Sequence, residues 1–193
     1  MASLLYIKAN PKSDRDSRTF QISERFVAAY KASHPGDEII TLNLYRENIR
    51  PLTGEEVTLT HQSGKEDYPM IRYARQFHNA DKYVIAAPMW NLSIPSILKA
   101  YIDCIMIVGI NFRYTEQGPQ GKAVHITSRG GNYSEGPYAA YEMGDRYLRT
   151  VFGFLGITDF GTIAAESLDV QGMDVKAIVD RTIKDAEARA KPF

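Results

Sequence analysis

The chain has 193 residues, 44% apolar and 24% charged, and its 23 Lys and Arg balance 23 Asp and Glu to a formal net charge of zero. That length suits one sizeable core, so a single domain over residues 1–193 is expected. The neutrality argues against nucleic acid, an anionic membrane, or an electron shuttle that docks by charge, so a partner must be found by shape and local chemistry.

Strand-like and helix-like segments alternate along the chain. The start, MASLLYIKAN, has a short apolar run and no basic region of a secretory signal. Leu4–Lys8 predicts a first strand, followed by the polar loop ANPKSDRDS. Phe20, Ile22, Phe26, Val27 and Tyr30 mark one face of a helix over 19–31, with Ser17 as a plausible cap. HPGDE is a turn, and EIITLNL is the second strand. Residues 45–68 read as irregular. A helix over 69–80 leads into the third strand, Lys82–Ala87, and the loop PMWNLSIP enters a helix over 96–108.

The only cysteine, Cys104, lies in the apolar run YIDCIMIV; it excludes an internal disulfide and reads as core. The longest apolar window, near Ile105–Ile110, is far below the ~20 residues a membrane span needs, so a soluble, cytoplasmic protein is expected. GINFRYTEQGPQGK has the turn signals of a hairpin-like excursion. Lys122–Ser128 is the fourth strand and ends in RGGNYSEGP. A helix over 138–155, a fifth strand over 158–165 and a charged amphipathic helix over 174–190 complete the chain. Five strands with helices between them predict an α/β fold: a doubly wound, five-stranded parallel sheet with helices on both faces, for which a flavodoxin-like order is one of the two common forms. In such sheets ligands bind at the carboxyl ends of the strands, which singles out the loops after the first, third and fourth.

The first of these loops lacks both the G-x-G-x-x-G and the Walker lysine patterns. It presents Asn10 and then Ser17, Arg18 and Thr19 at a helix start, where hydroxyls, free N–H groups and a guanidinium suit a phosphate monoester. A cap beside a solvated arginine is the other reading of the same residues. In the third-strand loop, Met89, Trp90 and Leu92 offer a flat apolar ledge for a planar ring, with Asn91 to meet its polar edge and prolines to stiffen it. Core beneath a loop is the alternative. After the fourth strand, Ser128, Arg129, Gly130 and Gly131 bring backbone N–H groups close to a ligand, with Arg129 as a further donor or counter-charge; a plain turn is the alternative. A phosphate end, a ring ledge and a polar edge together outline FMN.

On PMWNLSIPSILKAYID, GINFRYTEQGPQGK, HITSRGG, and FLGITDF with AAES downstream, the chain resembles the FMN-dependent NADH:quinone oxidoreductases, also called NADH-azoreductases. The likeness covers most of the chain after Lys82 and is weaker at the amino end. It implies an enzyme that takes electrons from NADH onto FMN and passes them to quinones or azo compounds by a ping-pong two-electron cycle. It further implies a homodimer with its flavins near the subunit interface. The flavin phosphate falls to Asn10, Ser17, Arg18 and Thr19, the ring to Met89, Trp90, Asn91 and Leu92, and the pyrimidine edge to Ser128, Arg129, Gly130 and Gly131. Phe112 and Tyr114 would wall the substrate pocket. No side chain is assigned as a nucleophile, and no metal is implied. Asn10 stands where many members have serine, Leu92 where some have phenylalanine, and Thr162 and Ala164 where some have aromatics. The implied pocket is therefore wider or less aromatic.

Rival classes fit less well. The four histidines, His34, His61, His78 and His125, are scattered without the spacing of a hydrolase metal site, and His125 reads as structural. IKANPK replaces the acidic cluster a response-regulator-like module would carry. A non-catalytic flavin-binding or interaction protein of the same fold remains the alternative.

Overall fold

The computed structural model describes residues 1–60, 70–111 and 121–193. Its strands are β1 (Ser3–Lys8), β2 (Glu38–Asn43), β3 (Lys82–Ala86), β4 (Lys122–Ser128) and β5 (Asp159–Ala165). They form one parallel sheet in the order β2-β1-β3-β4-β5. Parallel strands need long crossovers, which the helices supply: α1 (Arg18–Ser33), α2 (Gly54–Thr60), α3 (Ile71–His78), α4 (Ser96–Ile105), α5 (Gly144–Phe154) and α6 (Val175–Ala190). This is the flavodoxin-like arrangement expected from the sequence.

Successive side chains of a strand point to opposite faces, and because helices cover both faces, the middles of the inner strands are apolar on both sides. In β1, Leu5 and Ile7 join a core with Phe77 of α3, Tyr101 of α4 and Phe152 of α5. Leu4 and Tyr6 face the other way, toward Phe20 and Phe26 of α1 and Ile178 and Ala186 of α6. Tyr83 of β3 stacks among Phe77 and Phe152, at 4.5 and 5.8 Å between ring centroids. Its hydroxyl donates to the carbonyls of Phe77 and Ala80, both at 2.8 Å, so its polar tip is satisfied inside the core. Cys104 is buried, and burial pushes its thiol up to about 12, as suits an inert core residue.

The chain leaves β1 for β2 on one side and later returns to β3 on the other, so the order reverses between β1 and β3. The crevice at their carboxyl ends is where such sheets take ligands.

Three elements differ from the sequence reading. Residues 45–68 include a helix, α2, whose start is a reciprocal cap: the Thr53 hydroxyl accepts from the Glu56 N–H (3.3 Å) and the Glu56 carboxylate from the Thr53 N–H (2.7 Å). The helix expected over 138–155 begins at Gly144, after a 3₁₀ turn at Ala139–Tyr141. There the Glu142 carboxylate accepts from the N–H groups of Asp145 (2.8 Å) and Arg146 (3.1 Å), which fixes the first turn. The helix expected to run to 108 stops at Ile105, whose carbonyl accepts from the Asn111 amide at 2.7 Å. Phe112 and Tyr114 lie outside the described residues.

Candidate active site

A cleft of about 380 Å³ opens at the carboxyl ends of β1, β3, β4 and β5. Asn10, Lys12, Asp16, Ser17 and Arg18 line one side, Pro88, Met89 and Trp90 another, and Ser128, Arg129, Gly130, Leu168 and Asp169 the rest.

The corner at the start of α1 is preassembled. Ser17 caps the helix, its Oγ accepting from the Phe20 N–H at 3.1 Å and from the Asn10 amide at 2.9 Å. With both lone pairs used, the Ser17 hydroxyl has only its proton to offer a ligand. The Asn10 carbonyl oxygen accepts from the Lys12 N–H at 3.1 Å, which fixes the amide's orientation. Asn10 and Ser17 are nearly fully buried. As first-turn residues, Arg18 and Thr19 have N–H groups without intrahelical acceptors. The Arg18 guanidinium reaches Asp169 across the cleft at 3.5 Å. Thr19 turns inward instead: it is buried, its hydroxyl is 2.7 Å from that of Ser128, and it does not line the cleft.

The ledge is a two-residue hairpin tip. Trp90 and Ser93 exchange N–H···O bonds of 2.9 and 3.0 Å around Asn91 and Leu92. Both tip residues are left-handed, with φ of 49° and 68°. Two positive φ values make a tight turn that suits asparagine at its first position and strains leucine at its second. The Met143 N–H holds the tip by donating to the Leu92 carbonyl at 3.0 Å. Met89 and Trp90 therefore face the cleft, whereas Asn91 and Leu92 sit exposed beyond its lining.

The loop after β5, absent from the sequence reading of the site, builds the fourth wall. The N–H groups of Ser167, Leu168 and Asp169 donate to the carbonyls of Gly131, Arg129 and Gly130 at 3.0, 3.2 and 2.9 Å. Those bonds use the carbonyls of the glycine loop. Among the described residues, the N–H groups of Gly130 and Gly131 donate to no protein acceptor. Neither glycine has a positive φ. An added Cβ at 130 would meet the Asp169 carboxylate at 2.5 Å, so that exposed side chain would have to turn aside.

Arg129, expected as a donor or counter-charge at the ligand, also holds the protein together. It is 3% exposed, and its guanidinium bonds Glu166 (3.1 Å), Glu142 (3.3 Å) and the Ser134 hydroxyl (3.3 Å). It thereby ties the glycine loop to the end of β5 and the start of α5. Its Nε alone is buried without a partner. Behind the ledge, the two ring nitrogens of buried His125 lie 3.1 Å from the Asp145 carboxylate and 3.2 Å from the Ala87 carbonyl, which leads into the hairpin. His125 is thus a support, as expected. Burial pushes the Asp145 carboxyl up. His125 by hydrogen bond and charge, the Thr162 hydroxyl and the Arg149 guanidinium together outweigh it and hold the group well below the usual carboxylate range. No cluster of side chains suited to a metal occurs among the described residues.

The donor set fits FMN. A hydroxyl proton and free helix N–H groups suit a phosphate, Met89 and Trp90 suit a ring, and free N–H groups with a partnerless guanidinium nitrogen suit carbonyl oxygens.

Comparison with known proteins agrees. The model of the family described as having a flavodoxin-like fold matches residues 2–190. The FMN-dependent NADH:quinone oxidoreductase 2 of Clostridium acetobutylicum is 58% identical over 200 residues, covering 100% of both chains. An azoreductase crystal structure from Bacillus anthracis superposes with a TM-score of 0.89 at 32% identity over 100% of both chains. A second Bacillus anthracis structure, an FMN-dependent NADH-azoreductase in complex with FMN, gives 0.84 at 29% identity over 98% of each. The chain belongs to the flavodoxin-like-fold family and, within it, to the FMN-dependent NADH:quinone oxidoreductases.

Proposed function

We propose that this protein is an FMN-dependent oxidoreductase that takes electrons from NADH and reduces quinones and azo compounds in a ping-pong cycle. The observation that carries the reading is the convergence, in one cleft, of a hydroxyl donor at a helix start, an apolar ledge, and N–H groups with no protein acceptor. Bound FMN supplies the two-electron carrier that lets donor and acceptor react in turn at a shared site.

The chain's own residues do the holding. The Ser17 hydroxyl would donate a hydrogen bond to a phosphate oxygen, and the N–H groups of Arg18 and Thr19 would add the positive end of α1. Arg18 exchanges its weak bond to Asp169 for the phosphate. Met89 and Trp90 exclude water from the ring, which strengthens every polar contact beside them. The N–H groups of Gly130 and Gly131 stabilise negative charge that builds on the ring's polar edge. None of these steps needs a nucleophilic side chain.

Trp90 and Leu92 at the ledge and Tyr138, Tyr141 and Met143 before α5 are exposed; a backbone bond joins Leu92 to Met143, and the Tyr138 and Tyr141 rings lie 6.3 Å apart. These exposed apolar side chains support a homodimer in which a second copy covers the rim and completes the substrate pocket, to whose walls we assign Phe112 and Tyr114. The protein is a single domain, and we place it in the cytoplasm. No helix among the described residues is long and apolar enough to cross a membrane.

Turnover tests this directly. FMN-loaded protein should oxidise NADH with p-benzoquinone and with methyl red, giving parallel lines in double-reciprocal plots at varied acceptor. Intersecting lines would overturn the ping-pong order, and absent turnover the enzyme assignment.

A further inference from the structure

We propose that Lys8 is a positioning residue for the phosphate corner, and that it sets the preference for a flavin carrying a phosphate over one without. The inference rests on reading this cleft as the FMN site.

Lys8 ends β1, an otherwise apolar strand, and its side chain is 7% exposed. An ammonium is buried only where partners compensate its lost hydration. Here Nζ lies 2.5 Å from the Asp14 carboxylate and 2.6 Å from that of Glu24, and it rests 4.5 Å from the centre of the Phe20 ring. Asp14 belongs to the loop between Asn10 and Ser17, and Glu24 to the second turn of α1. One cation therefore joins the end of the sheet, the middle of the loop and the helix whose start faces the cleft.

The loop is otherwise bonded mostly to itself. Ser13 and Asp16 bond each other, and Asp16 and Ser17 donate their N–H groups to the Ser13 carbonyl. The Arg15 carbonyl accepts from Gln21 of α1 at 2.6 Å. The bond from the Lys8 ammonium to Asp14 anchors the middle of this turn to the sheet and so supports the Asn10–Ser17 bond at its two ends. Charge acts in the same direction. Without Lys8, the carboxylates of Asp14 and of Glu24, the latter still bonded by the Tyr6 hydroxyl at 3.1 Å, would lose their shared cation, and the potential behind the corner would become less favourable to a phosphate.

The test uses the full-length protein freed of flavin, with FMN and riboflavin affinities read from quenching of flavin fluorescence. Asp14→Asn cuts the anchor at an exposed carboxylate, and Lys8→Met removes the cation. Both should lower the ratio of FMN to riboflavin affinity: about tenfold for Lys8→Met, where lost anchor and lost charge act together, and about threefold for Asp14→Asn, where the loosened anchor outweighs the relief of one carboxylate's repulsion, with riboflavin affinity held within about twofold. A general loosening of the fold would weaken both flavins alike. An unchanged ratio in Asp14→Asn, with Lys8→Met unchanged or unfolded, overturns the proposal. Failure of the underlying reading looks different: wild-type protein would then bind FMN no more tightly than riboflavin, and Ser17→Ala would leave the ratio untouched.

Discussion

At the start of α1 the cleft is walled by side chains already bonded to one another, whereas at the hairpin after β3 it is walled by Met89 and by a Trp90 that is 39% exposed. The first corner is polar, buried and preorganised, so a phosphate pays little ordering cost there. The second is apolar and open; its tip is a left-handed turn closed by the Trp90–Ser93 pair and tied to the start of α5 by the Met143 N–H bond to the Leu92 carbonyl. The difference separates two tasks: the polar corner retains the cofactor, and the open ledge leaves room for substrates to come and go.

The largest way to break this division is through Arg129, which backs the glycine loop between the two regions. Arg129→Ala leaves Glu142 and Glu166 without their buried cation and should cost about 3–5 kcal/mol, read as a lower urea midpoint. A loss below about 1 kcal/mol would show that the guanidinium is not the tie it is taken for.

Acid should attack the ledge from behind, through Asp145. Its folded-state value lies below the ordinary one of about 3.9, so its stabilisation is complete above about pH 5 and is lost as pH falls through that folded value. Stability should therefore rise with pH across the acid range, and Asp145→Asn should flatten that slope. An unaltered slope would remove the Asp145–His125 pair from the account.

At the polar corner, Ser17→Ala should weaken FMN binding about tenfold and cost about 1 kcal/mol of stability through the lost cap. FMN affinity unchanged while stability falls would make Ser17 a cap alone. The smallest effect belongs to Leu92→Gly at the hairpin tip. Relief of a left-handed leucine, about 1 kcal/mol, is partly offset by glycine's freedom in the unfolded chain, so both stability and FMN affinity should barely move. A marked loss of FMN would put Leu92 against the ring after all.

The local features of both regions were readable from the chain. The helical period beginning at Phe20 and a serine just before it located the α1 cap, and the prolines around MWNL marked a stiffened loop. The five parallel strands followed from alternation and the usual crossover rules, which left two common strand orders; the family resemblance selected the flavodoxin-like one. What escaped was set by distant partners. Thr19 turns inward because parallel pairing brings Ser128 beneath it, and Arg129 is consumed by Glu142 and Glu166. Leu168 and Asp169 join the cleft through a backbone ladder to residues 129–131, although the rule that ligands sit at strand ends applied to β5 as well. Asn91 and Leu92 left the lining because the turn type, which side-chain chemistry alone did not reveal, puts them at its tip. The helix α2 was a missed local signal: Thr53 followed by Glu56 is a capping box.

The most direct test of the account is the visible absorption spectrum of the FMN-loaded protein, recorded without oxygen before and after NADH is added. Bleaching of the flavin bands, with recovery on adding a quinone, is the predicted result. Bands that persist in excess NADH would make this a flavin-binding protein without reductase activity and would contradict the account.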